Sequence, residues 1–233
     1  MPTVKVNDIQ MYYERHGEGE PLVLICGLAI DLSENESIVR WLAKSYQVLA
    51  FDNRGAGRTD KPDMPYSIEM MAEDTAGLMQ ALGVKQARVI GTSMGGRIAL
   101  ALTLQHPELV KKLILVSTSA RVIKSAGRTW RLRVGGLLSN LPLLRSNYPQ
   151  PRYAFLRQLE ASGSYNCLDR LPEIHAPTLI LHGKQDKTVL YHLAEELHAG
   201  IAGSQMVMFK GGHIFFLFRE RQPFLETIAQ FLE

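Results

Sequence analysis

The segment Gly91-Thr92-Ser93-Met94-Gly95-Gly96 places a serine between glycines two residues away on either side, and it is where this chain's residue types and spacing point to chemistry. A serine hydroxyl is a poor nucleophile at its free pKa, so acyl transfer from it needs a base, and the base needs an acid to orient it. The G-x-S-x-G pattern alone fits a plain glycine-rich turn between a strand and a helix equally well. Context separates the two readings, because the apolar run Arg88–Ile90 leads into it and a helical pattern follows. On such a turn the serine takes a strained backbone, and the glycines leave room for the sharp reversal. Its side chain then stands above the sheet edge, over the amides of a helix N-terminus.

The partners are sought in chain order, an acid after the serine and a histidine after the acid. The apolar run Thr178–Leu181 ends in His182-Gly183-Lys184-Gln185-Asp186, which puts Asp186 in a loop at a strand's C-terminal end, where the sites of open α/β sheets gather. Asp169 lies before that strand, and the run Leu113–Val116 is followed by Ser117-Thr118-Ser119 with no acid. Three histidines follow Asp186. His192 and His198 fall inside the helical stretch 188–199, as surface positions of that helix, whereas His213 follows the run Gln205–Phe209 and the flexible pair Gly211-Gly212. The expected catalytic set is therefore Ser93, Asp186 and His213. His213 takes the Ser93 proton, and Asp186 holds the imidazole tautomer and stabilises the imidazolium. For the oxyanion of a tetrahedral intermediate two amide donors are expected, one from Met94 and one from Leu28, in the loop where Gly27-Leu28 lets the backbone turn toward Ser93.

The elements that must position these residues are legible as patterns. Residues 3–6 and 9–14 alternate around Asn7-Asp8, which predicts a hairpin. Continuous apolar runs at Leu22–Cys26, Val48–Phe51, Arg88–Ile90, Leu113–Val116, Thr178–Leu181 and Gln205–Phe209 predict strands buried on both faces. Ile68, Met71, Thr75, Leu78 and Leu82 share one helix face; Ile98, Ala101, Leu102 and Gln105 mark another helix that ends at His106-Pro107. Strands alternating with helices imply right-handed crossovers and a mostly parallel sheet covered on both sides. Residues 120–172 break the alternation and predict a helical insertion, so the expected division is a core of 1–119 and 173–233 with a cap of 120–172.

Composition bounds the answer. At 233 residues, 46% hydrophobic and 21% charged with a net charge of +3, the chain is too apolar for disorder and long enough to bury a full layered core. Cys26 and Cys167 are too far apart in sequence for a metal or redox motif and read as buried thiols in a reducing compartment. The N-terminus lacks the features of a signal peptide and the longest apolar run is half a membrane span, so a cytoplasmic protein without an integral membrane segment is expected.

With these pieces in order, the chain resembles the α/β-hydrolase superfamily. Asp52-Asn53-Arg54-Gly55-Ala56-Gly57-Arg58-Thr59 looks like that family's D-x-R-G-x-G-x-S turn, and Tyr66-Ser67 through Leu82-Gly83 resembles the helix that follows it. Together with G-T-S-M-G-G, G-K-Q-D and G-G-H, the resemblance covers nearly the whole chain. It implies an α/β-hydrolase fold with an eight-stranded sheet and a cap, a triad of Ser93, Asp186 and His213, no cofactor and no metal. Two departures stand out. Cys26 occupies a position where many relatives carry a histidine, which is expected to alter the pocket rim, and Arg58-Thr59 replaces a small-residue-then-serine ending, with consequences for a turn. A serine nucleophile also argues against the epoxide hydrolases and haloalkane dehalogenases of the superfamily, which the resemblance says use aspartate there.

The expected reaction is hydrolysis of small-to-medium acyl esters or thioesters through an acyl-enzyme. Opening of lactones, hydrolysis of C–C bonds or perhydrolysis on the same triad is the alternative, and a triad-bearing ligand receptor with slow turnover is an alternative of another class. Trp130, Leu138, Phe155 and Phe215 are expected to line an apolar acyl pocket. Between Arg121 and Arg157 there are eight basic residues and no acidic one. Arg121, Lys124, Arg128 and Arg131 recur on one helical face, which reads as a solvated outer face, as a patch steering an anionic acyl substrate such as a CoA thioester, or as a surface for anionic membrane. Nucleic-acid binding is not expected, since no recognised module or interleaved aromatics accompany the basic segment.

Overall fold

Apolar residues that run on without alternation cannot face water on either side, and they build the centre of a sheet. In the computed structural model, which describes residues 2–123, 147–217 and 220–233, eight described strands form one sheet: β1 (Thr3–Val6), β2 (Ile9–His16), β3 (Pro21–Ile25), β4 (Gln47–Phe51), β5 (Ala87–Thr92), β6 (Val110–Val116), β7 (Thr178–Gly183) and β8 (Gln205–Phe209). Their spatial order is β1-β2-β4-β3-β5-β6-β7-β8. The pairings β1–β2 and β2–β4 are antiparallel and all others parallel, so β2 alone runs against the rest. This is the mostly parallel α/β arrangement expected from the sequence.

Successive residues of the central strands serve opposite faces. Val23, Ile25, Leu49, Phe51, Val89, Leu113, Leu115 and Ile180 point into one apolar cluster, and Leu22, Leu24, Val48, Ala50, Ile90, Ile114, Val116, Leu179 and Leu181 into the other. The first is covered by α2 (Ile68–Ala81), α3 (Met94–Gln105) and α5 (His192–Gly200). The second is covered by α1 (Glu36–Leu42) and α6 (Arg221–Leu232). Helix α2 begins where Ser67 accepts the Met70 amide at 3.0 Å and ends at Gly83, whose φ of +71° lets the Val84 amide reach back to the Met79 carbonyl at 2.8 Å.

Between β6 and β7 the described residues form helix α4 (Arg152–Ser164) and a short 3-10 turn, Leu168–Glu173, with a single bridge between Arg121 and Asn166. The chain leaves β3 toward β4 on one side and returns to β5 on the other. At such a reversal the loops at the strands' C-terminal ends part and leave a crevice. Gly27-Leu28 and Ser93 follow the two strands that flank it.

The N-terminal hairpin is tied to the body by a buried ion pair. The Arg54 guanidinium, 1% exposed, donates from Nε to Asp74 Oδ2 at 2.7 Å and from Nη2 to Asp74 Oδ1 at 2.8 Å, and its outer edge grips Asp8 at 3.0 and 2.5 Å. Asn7, at φ +50° in the hairpin turn, donates to Asp74 as well. The partners hold the Arg54 pKa above its ordinary value, even though burial acts in the opposite direction. Replacing Asp74 by Ala strands a buried cation and is expected to cost about 3–5 kcal/mol in urea unfolding. The same change at Asp8, whose side chain is 55% exposed, is expected to cost less than about 1 kcal/mol.

Candidate active site

Ser93 sits where β5 turns into α3, and the turn is tight because backbone meets backbone. A Cβ on Gly95 would stand 2.2 Å from the Ile25 carbonyl oxygen, and one on Gly91 would stand 2.4 Å from the Gly95 carbonyl oxygen. Both positions therefore admit only glycine, and the approach they permit leaves Ser93 at φ +56°, ψ −115°, a left-handed φ that a residue with a side chain takes up only under constraint. Neighbouring strands supply that constraint. The Ser93 amide donates to the Val116 carbonyl at 2.9 Å, and the Thr118 hydroxyl donates to the Ser93 carbonyl at 2.7 Å.

His213 and Asp186 arrive from the ends of β8 and β7. The Ser93 hydroxyl lies 3.0 Å from His213 Nε2, and His213 Nδ1 lies 2.7 Å from Asp186 Oδ2. A carboxylate only accepts, so Nδ1 carries the proton, and Nε2 of the neutral ring is left to accept from the serine. Asp186, 4% exposed, gives its other oxygen to the fold, since Oδ1 accepts the Thr188 and Val189 amides at 2.7 and 2.9 Å. The three residues picked out by chain order thus stand together, while the two histidines set aside lie elsewhere. His198 pairs with Ser204 and His192 opens α5.

The loop after β3 abuts the serine: a Cβ on Gly27 would stand 3.5 Å from that of Ser93. The Cys26 carbonyl at its root accepts from Asn53 Nδ2 at 2.9 Å. The Met94 amide is the first of α3, where helix geometry leaves the donor without an intrahelical acceptor. Neither the Met94 nor the Leu28 amide donates to another described residue.

Several expectations are corrected. Phe215 does not line a pocket: it stacks on Phe209 at 4.4 Å between ring centroids and packs against Phe216 and Phe224 in the cluster beneath the sheet. Arg121 is not a free anion-steering cation, because its guanidinium is paired with Glu196 at 2.9 and 2.6 Å. Cys26 does not reach the rim; its thiol is buried in the second cluster, accepts from Asn35, and is pushed far above the ordinary thiol pKa by burial. Phe155 is buried on α4, outside both apolar clusters. Lys124, Arg128, Trp130, Arg131 and Leu138 lie outside the described residues. Thr59, in the altered turn, donates to the Asp52 carbonyl and accepts the Tyr12 amide, joining the turn to β2.

Sequence reasoning missed the hydroxyls after β6. Besides Thr118, the Ser117 hydroxyl donates to the His213 carbonyl at 2.8 Å, so one tripeptide braces both Ser93 and His213. The available signal was three consecutive hydroxyl residues at a strand's C-terminal end. Among the described residues no group of three or more His, Cys, Asp or Glu is placed to hold a metal ion, and no helix is long and apolar enough to cross a membrane.

His182 is a further buried group next to Asp186. It is fully buried, donates from Nε2 to the Val189 carbonyl at 2.9 Å and lies 3.4 Å from Asp186 Oδ2. Burial holds its pKa below the ordinary value, against the pull of Asp186 and the Val189 carbonyl. The unfolded chain binds a proton at this residue near pH 6.5 while the folded chain still resists it, so folding stability falls as pH drops below about 6.5. Urea midpoints are expected to decrease between about pH 7.5 and about pH 5.5, and to decrease less in His182→Gln, which keeps a donor for Val189 but does not titrate.

Residues 20–155 match the family described as alpha/beta hydrolase fold. The chain is 30% identical, over 92% of its length and 92% of the relative's, to a protein of Azorhizobium caulinodans that carries the name "Putative carbamate hydrolase RutD". Among solved structures it is similar to the enol-lactonase from Burkholderia xenovorans, with a TM-score of 0.89 and 26% identity over 99% of both chains. It is also similar to an esterase from Exiguobacterium antarcticum, with a TM-score of 0.86 and 27% identity over 98% of both. The strand order, the serine on its strained turn and these likenesses agree, and the chain belongs to the α/β hydrolase family.

Proposed function

We propose that this hydrolase is a serine carboxylesterase that cleaves small-to-medium acyl esters through an acyl-enzyme. The observation that carries the reading is the continuous line of hydrogen bonds from Ser93 Oγ through His213 to Asp186. The likeness to an esterase at 27% identity supports it.

In this mechanism Ser93 Oγ attacks the acyl carbon as its proton passes to His213 Nε2, and Asp186 stabilises the imidazolium across the 2.7 Å bond. The carbonyl π pair moves onto oxygen, and the resulting oxyanion is received by the Met94 and Leu28 amides; one such donor is worth about 10²–10³-fold in rate. Collapse expels the alcohol, which takes the proton from His213. Water, deprotonated by the same imidazole, then attacks the acyl-serine and releases the acid. Phe155 is placed in the acyl pocket on this reading. The half-buried setting of Ser93 limits the water around the reacting centre.

Lactone opening is the second reading, since it uses the same steps and the chain resembles an enol-lactonase at 26% identity. The test is hydrolysis of p-nitrophenyl esters from acetate to decanoate, with a lactone in parallel, by wild type and Ser93→Ala. A rate that peaks at one acyl length and drops by roughly 10⁴-fold or more in the variant is expected. Wild-type ester rates no higher than those of Ser93→Ala would sink the esterase reading, and turnover of the lactone alone would replace it with the second.

A further inference from the structure

A glutamine from the insertion reaches into the loop that carries one of the two proposed oxyanion donors. Gln158 lies on α4 and is completely buried. Its Nε2 donates to the Arg54 carbonyl at 2.7 Å, and its Oε1 accepts the Ala29 amide at 3.1 Å and Gln150 Nε2 at 3.0 Å. The carboxamide can be oriented in only one way, because the Arg54 carbonyl only accepts and the Ala29 amide only donates.

Ala29 itself is unusual. It sits at φ +62°, in the left-handed region that a residue with a Cβ avoids, immediately after Leu28. Nothing in the residue type favours that conformation, and the local turn bond that accompanies it, from the Ile30 amide to the Gly27 carbonyl, is long at 3.4 Å, so a bond from outside the turn adds to what holds it. The acceptor that meets its amide is the Gln158 side chain. Releasing Ala29 to an ordinary φ would swing the peptide between Leu28 and Ala29 and change the direction of the loop that abuts Ser93.

We propose that Gln158 is a positioning residue for the oxyanion hole: its carboxamide, anchored on the Arg54 carbonyl, holds Ala29 left-handed and thereby keeps the Leu28 amide aimed at the reacting carbonyl. Gln150 strengthens the arrangement, since its Nε2 donates to both Gln158 Oε1 and the Gly55 carbonyl. The last helix of the insertion is thus wired to the catalytic machinery of the core. The inference rests on the ester-hydrolysis reading for its kinetic consequence, and on geometry alone for its effect on the loop.

Two variants and two measurements test it. Gln158→Met keeps length and volume but offers the Ala29 amide no strong acceptor. Gln158→Glu, kept protonated by burial, donates to the Arg54 carbonyl and accepts from Ala29 as glutamine does. Hydrogen exchange at the Ala29 amide is expected to accelerate by about tenfold or more in Gln158→Met and to stay near the wild-type rate in Gln158→Glu. On the best p-nitrophenyl ester, kcat is expected to fall on the order of 10- to 100-fold in Gln158→Met with KM within about twofold, and affinity for a boronic acid transition-state analogue to fall in parallel. Gln158→Glu is expected to recover most of kcat.

Unchanged Ala29 exchange in Gln158→Met overturns the inference whatever the ester rates are. So does a wild-type kcat in Gln158→Met, or a fall in kcat that Gln158→Glu shares in full. If Gln158→Met does not fold, the same two measurements on Gln158→Glu decide, with accelerated exchange or a 10-fold loss of kcat counting against it. A wild type that is inert toward esters sinks the ester-hydrolysis reading, and Ala29 exchange then judges the loop on its own.

Discussion

The rest of the site depends on how closely the start of α3 can approach β3 and β5. Helix and strand backbones meet there with no side chain between them, at Gly91 and Gly95. The contact sets the turn angle, the angle fixes Ser93 at a φ that its side chain would not choose, and the hydroxyl is pushed out above the sheet. Strain of this kind persists only where surroundings over-determine it. Here they do so through the Val116 carbonyl, the Thr118 hydroxyl and the packing of α3 on the central strands.

The same end of the sheet gathers every other participant. Loops after β3, β5, β6, β7 and β8 lie at this end, where bonds between neighbouring segments hold them and the Asp186 carboxylate also closes its own loop. Asn53 steadies the end of β3, Ser117 the His213 backbone, and Gln158 the loop at Ala29. A second set of ties, Arg54 with Asp74 and Asp8, secures the antiparallel hairpin to the first helical layer. The carbonyl of that same arginine receives Gln158, so the buried ion pair and the loop beside Ser93 share one anchor.

Much of this was legible in the chain, for a physical reason. A strand buried on both faces must be continuously apolar, so its end is marked by the first turn residue, and Ser93 and Asp186 follow such ends; His213 follows β8, which read the same way in sequence but is an edge strand, only partly buried before Phe209. The hairpin at Asn7-Asp8 and the helix that starts at Ile68 were visible because alternation and helical periodicity are local in sequence. The less visible parts depend on contacts distant in sequence. Gln158 is one polar residue on a helix face, and only the fold reveals that it meets Ala29, 129 positions away. Phe215 was misplaced because a short 3-10 turn, Phe215–Leu217, directs the ring down into the aromatic cluster rather than up toward the serine. Arg121 was read as part of a helical face, but it lies in a bridge to Asn166 that brings it to Glu196.

Asp186 divides one carboxylate between two duties, and all three of its strong partners, two loop amides and an imidazole, are donors. An amide side chain has a single accepting atom, so an asparagine here must turn its amino group on one set of donors or the other. The position therefore cannot be neutralised in one step without breaking either the loop or the bond to His213. Ser93 carries no comparable second duty for its hydroxyl, whose one described partner is His213. Loss of the Ser93 hydroxyl would thus leave this loop intact whereas loss of the Asp186 carboxylate would not, and an aspartate at this loop is by itself a mark of the loop's construction rather than of activity.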